Sequence, residues 1–80
     1  MMNTKRVFSK VKSAQKREEL EEGLKDPDAG HSDRCWFGGF LLNFIGYSED
    51  EVFDIIHEHA EWSDYDPTTT RNQLRSLDNE

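Results

Sequence analysis

Apolar and aromatic residues crowd together in "WFGGFLLNFI", residues 36–45, and their spacing is helical: Phe37, Phe40, Leu41 and Phe44 fall at i, i+3, i+4 and i+7. Trp36 and Ile45 widen that face. The pattern predicts a core helix that begins near Ser32 and stops at Gly46, a residue suited to the left-handed backbone of a helix terminus. "SEDE" follows at once. Ser48 as N-cap with Glu51 three residues on makes a capping box, so the next helix runs to about Ala60 and buries Val52, Phe53, Ile55 and Ile56. "WSDYDP" then reads as a loop. Asp66 and Pro67 open a last helix, with proline at its first position and Leu74 and Leu77 spaced to dock it.

Before this block, residues 4–25 are good helix formers without a proline, and Val7, Val11, Ala14, Leu20 and Leu24 form a broken apolar stripe. One helix is expected there. Its cations come first and Glu18, Glu19, Glu21 and Glu22 come last, against the helix dipole, so the first turns are expected to fray. "KDPDAG", residues 25–30, serves as a linker. The expected architecture is all-α: a compact domain over 26–80, preceded by a basic N-terminal helix or flexible arm over 1–25, the whole a bundle of three to four helices. No strand signal or internal repeat stands out.

Charge sharpens this division. Six cations and no acid lie before residue 18, whereas the rest carries four cations and 17 acids, which gives +6 and -13 within a net charge of -7. Lys5, Arg6, Lys10 and Lys12 are therefore candidates to meet phosphates, while an acidic body repels them except where arginines gather. No apolar run approaches the ~20 residues that span a bilayer, and the first residues lack the apolar core of a secretory signal. A single cysteine cannot staple the chain internally, so a reducing, cytoplasmic setting is expected.

His31 and Cys35, four apart, make half of a zinc site. The other half is missing, since His57 and His59 diverge on a regular helix, and no metal is expected. A Cys-His nucleophile is the sharper reading of the same pair, and a small buried thiol at the start of an apolar face the blander one. With no phosphate-binding glycine loop, no Ser-His-Asp set and no paired carboxylates, neither an enzyme nor a cofactor is expected. Arg71 and Arg75, i and i+4, either form a basic strip at the last helix's start or pair with nearby acids.

Five short motifs in order carry a resemblance: "HSDR" at 31–34, "FLLN" at 40–43, "IG" at 45–46, "SEDE" at 48–51 and "TRNQ" at 70–73. From about Gly30 to Leu77 the chain resembles the helical part of the C-terminal domain of archaeal and eukaryotic DNA primase large subunits. The stretch from Arg34 to Gly46 is one residue longer than the family pattern. Family members grip the template-primer end with basic residues in the first and last of these motifs. The resemblance thus implies nucleic-acid contacts at His31, Arg34 and Arg71, with Gln73 a further position. The family's four-cysteine iron-sulfur cluster has no counterpart, because Cys35 stands alone.

The expected function is that of a non-catalytic, primase-like helical module for DNA replication in an archaeal, viral or plasmid setting. It would bind single-stranded or primer-template nucleic acid, or a replication protein, through His31, Arg34, Arg71, Arg75 and the N-terminal cations. The alternative is an acidic protein-interaction or regulatory module that meets a basic partner or self-associates.

Overall fold

A computed structural model describes residues 3–78, and among them there are only helices and connections. The helices are α1 (Thr4–Val7), α2 (Ala14–Lys25), α3 (His31–Gly39), which runs on into a π-helical stretch (Phe40–Ile45), α4 (Glu49–His59) and α5 (Pro67–Asp78). This is the all-α bundle that the apolar spacing predicts.

The N-terminal segment departs from expectation. Instead of one helix over 4–25 there are two, because Ser13 caps a fresh start: its side chain accepts from the Lys16 N–H (3.3 Å). The break turns Phe8 and Val11 inward together, where both are buried beside Leu20 and Leu24, while Ala14 stays exposed. The first turn is helical. Asn3 caps it, and the break leaves Lys5 and Arg6 in the last turn of α1, the end that favours cations. Two further bonds hold the crossing: the Lys10 N–H donates to the Tyr47 hydroxyl (3.1 Å), and Arg17 Nη1 donates to the Val11 carbonyl (2.7 Å). The radius of gyration, 11.4 Å, is that of a folded chain this long, for which about 12 Å is expected. The basic segment is part of the body.

In the central helix, Phe37, Leu41 and Leu42 are buried, but Phe44 is 79% exposed and Trp36 is 45% exposed, contrary to the apolar face read from the sequence. The π-helical stretch explains the shift. Its i→i+5 bonding holds one more residue per ring than an α turn, so Leu42 swings inward beside Leu41 and Phe44 rotates out. The helix ends as predicted at Gly46, with φ +96°, where the Tyr47 N–H reaches back to the Leu41 carbonyl (2.9 Å). Gly38 lets α5 approach closely: a Cβ there would stand 3.0 Å from a Leu74 methyl and 3.2 Å from one of Leu77.

The capping box forms as expected. The Glu51 N–H donates to Ser48 Oγ (3.2 Å) and the Ser48 N–H donates to the Glu51 carboxylate (3.0 Å). Asp66 caps α5 through the N–H groups of Thr68 and Thr69 (2.9 and 3.2 Å). The loop between α4 and α5 is pinned to the end of α2. There Trp62 Nε1 donates to the Gly23 carbonyl (2.9 Å) and the Glu61 N–H to the Leu24 carbonyl (2.7 Å). Trp62 thus closes the core. No described helix is long and apolar enough to cross a membrane.

Candidate functional site

α3 begins at His31, so His31, Arg34 and Cys35 share its first turns and face the start of α5. Gln73 reaches across from α5 and donates through Nε2 to His31 Nδ1 (3.4 Å), which joins two motifs that lie 42 residues apart. The other ring nitrogen, Nε2, lies 3.3 Å from Cys35 Sγ. With Nδ1 used as an acceptor, the neutral ring carries its hydrogen on Nε2 and presents an N–H to the sulfur. Cys35 itself is only partly buried, because it lies at the edge of the α3–α5 contact. Among the described residues no group of three or more histidine, cysteine or carboxylate side chains is placed to hold a metal ion.

Arg34 lines a hollow between the start of α3 and the start of α5, together with His31, Asp64, Asp66 and Gln73. Its guanidinium stands 4.6 Å from the Trp62 ring centroid and donates to Asp64, while its Nε is buried without a partner. The hydrogen bond from Arg34 holds the Asp64 carboxyl below its ordinary 3.8, and Asp64 is otherwise open to water. The guanidinium is a rigid fork of donors, and two aspartates, Asp64 and Asp66, line the hollow with it.

Arg71 and Arg75 stand elsewhere. At 100° per residue, positions 71 and 73 point to different sides of α5. Gln73 faces α3, whereas Arg71 faces the start of α4, 2.7 Å from Asp50 and 3.4 Å from Glu49, with its guanidinium 4.7 Å from the Phe53 ring. Arg75 Nε approaches Glu49 at 3.9 Å. Of the two readings left open for these arginines, pairing with local acids is what the structure contains. The predicted residues therefore fall into separate groups: His31, Arg34 and Gln73 together, Arg71 and Arg75 together, and the N-terminal cations along another edge.

Those cations divide again. Arg6 borders a shallow hollow with Glu58, His59 and Glu61, and Lys5 is exposed beside it in α1. Lys10 stands 5.0 Å from the Tyr47 ring and 3.6 Å from Glu51, and Lys12 is exposed. Lys16, a cation the sequence reading did not single out as a site, stands 5.9 Å from the Trp36 ring.

Sequence reasoning also missed a row of rings. Trp36, Phe40 and Phe44 stack in succession, with centroids 5.5 and 5.2 Å apart and 14° between planes at each step. Their i, i+4, i+8 spacing was available as a stripe separate from Phe37 and Leu41, but reading every aromatic residue as core concealed it. No family model matches the chain, and comparison with curated proteins and with solved structures gave no match either.

Proposed function

We propose that this chain is a small, non-catalytic, primase-like module that binds nucleic acid in replication. The observation that carries the reading is the meeting of "HSDR" with "TRNQ". His31 and Arg34 from the first and Gln73 from the second face one hollow, as a shared phosphate-binding edge requires. The π-helical stretch also suits it: one extra residue between Arg34 and Gly46 is what an i→i+5 turn absorbs without moving the helix ends. The docked segment supplies the sequence-independent part of the affinity. Lys10, Lys12 and Lys16 lie along a rigid edge instead of on a free tail, so less ordering entropy opposes phosphate contact.

In this reading Arg34 and His31 position the strand end, and Arg71 contributes once phosphate displaces it from Glu49 and Asp50. The test is a titration of the full chain against a primer-template junction at low and moderate salt. Arg34→Ala and Arg71→Ala weaken binding more than Lys25→Ala, by about tenfold for a lost charge-assisted contact. Equal effects of all three would remove the site assignment. The pairing of Arg71 with two carboxylates favours the second reading, an acidic surface that meets a basic protein. That reading predicts no retention on DNA at any salt, together with a concentration-dependent complex or dimer.

A further inference from the structure

The stacked rings of Trp36, Phe40 and Phe44 are the feature that neither the core nor the motif edge uses. Phe40 is partly buried and sits between the other two; Phe44, at the end of the row, has one face against Phe40 and is 79% exposed. Spaced four residues apart along one helix, the three rings stack at steps of 5.5 and 5.2 Å between centroids. A lone exposed phenylalanine is ordinary, but here three near-parallel rings are stacked on one another into a platform whose open face is that of Phe44.

What lies beside the platform selects its occupant. The N-terminal segment lies beside the aromatic helix: Phe8 packs edge-on against Phe37 (6.1 Å), Lys16 of α2 stands by Trp36, and Lys10 stands by Tyr47, just past the helix end. Lys12 falls between them in the chain and is exposed. The most basic stretch of an acidic protein is thus folded alongside its most exposed aromatic row. Lys16 and Lys10 are held only by surface pairs with Glu19 (3.2 Å) and Glu51 (3.6 Å), which water screens and phosphates can replace. The far side of Trp36 is acidic, with Glu19, Glu22 and Asp33 around a shallow hollow, so a polyanion is turned toward the Phe44 end.

We infer that Trp36, Phe40 and Phe44 form a base-stacking platform for unpaired nucleotides, with Lys10, Lys12 and Lys16 as its phosphate rail. This rests on the nucleic-acid reading above and adds to it the strand type: single-stranded DNA or RNA, bound without base-edge readout. Duplex bases are already stacked on one another and offer no free face to Phe44, whereas an unpaired base does. Base–aromatic stacking energies correspond to losses of about 5- to 160-fold per ring removed.

The experiment is fluorescence anisotropy of the chain with labelled oligothymidylate and with a long labelled duplex that has no loop or overhang, at low and moderate salt. It is repeated for Phe44→Ala, Phe44→Trp and the triple variant Lys10→Ala, Lys12→Ala, Lys16→Ala. Because Phe44 is exposed, both of its variants retain the fold, which circular dichroism checks. The expected result is that Phe44→Ala weakens oligothymidylate binding at least fivefold and leaves duplex binding unchanged, that Phe44→Trp restores it, and that the lysine variant flattens the salt dependence. If Phe44→Ala leaves oligothymidylate binding unchanged while the wild type binds DNA, the platform is refuted and the nucleic-acid reading stands. If the wild type binds neither probe, both fall. If Phe44→Ala instead dissolves a dimer seen by sedimentation, the row is a self-association surface and the inference is overturned.

Discussion

Removal of the Phe8 side chain tests whether the basic N-terminal segment belongs to the folded body. Phe8 is fully buried, and its ring meets Phe37 edge to face at 6.1 Å. Truncating a buried phenylalanine to alanine costs about 3–5 kcal/mol, because the lost transfer energy is joined by the cavity left behind. The edge-to-face contact accounts for roughly 0.5–1.5 kcal/mol of that. At 0.05–0.15 kcal/mol per residue, a domain this long has only about 4–12 kcal/mol in total. Phe8→Ala therefore takes a large share of the stability, and Phe8→Leu, which keeps most of the volume, costs about 1 kcal/mol. Urea unfolding followed by tryptophan fluorescence reads both, since Trp62 is buried in the same body. The exposed Lys12→Ala serves as a control and stays within about 0.5 kcal/mol. A Phe8→Ala midpoint equal to that of the control would show the segment undocked, and with it the lysine rail.

Three other outcomes follow from particular contacts. Gly38→Ala pushes a methyl against Leu74 and Leu77 and costs about 1–3 kcal/mol in urea unfolding. Gly39→Ala, with open space around it in the same helix, gains roughly 0.5–1 kcal/mol; the same sign at both sites would contradict the packing described. Gly46→Ala, forced to φ +96°, costs about 1–2 kcal/mol, and Gly46→Asn less, by the same assay. Hydrogen bonds from the Ser48 backbone N–H and side chain hold the Glu51 carboxyl below its ordinary 4.5. A depressed folded value means the stabilisation is whole above 4.5 and is lost as pH falls through the lower folded value. The stability gap between wild type and Glu51→Gln therefore narrows from neutral pH to about pH 3. An unchanged gap would place the stabilisation somewhere other than the ionised carboxylate.

Local chemistry made the helix ends readable: Gly46, the Ser48–Glu51 box and the Asp66–Pro67 start each act within a few residues, and each stands where its residues predict. What failed needed tertiary knowledge. Residues 4–25 have helix propensity throughout, yet burying Phe8 and Val11 outweighs the hydrogen bonds of an unbroken helix, and propensity carries no term for that. A single π-helical stretch was enough to misplace Phe44, because periodicity arguments assume that every turn holds the same number of residues. For the site, the resemblance grouped His31 and Arg34 with Arg71 and gave Gln73 as a further position, whereas in the fold it is Gln73 that stands beside the imidazole. Arg71 was chosen by type, and only the fold reveals Glu49 and Asp50 beside it.

The central claim, that the edge joining α3 to α5 and the lysine-flanked aromatic row together meet nucleic acid, is tested most directly by locating the contact. In a titration of the uniformly 15N-labelled chain with a short single-stranded oligonucleotide, amide shifts are predicted to move in three stretches: residues 30–35, 69–73 and 10–16. The aromatic helix between 40 and 47 should move with them, and the acidic surface around Glu58 and Glu61 should stay still. Shifts confined to the first few residues, or no shifts with an oligonucleotide present in excess, would contradict it.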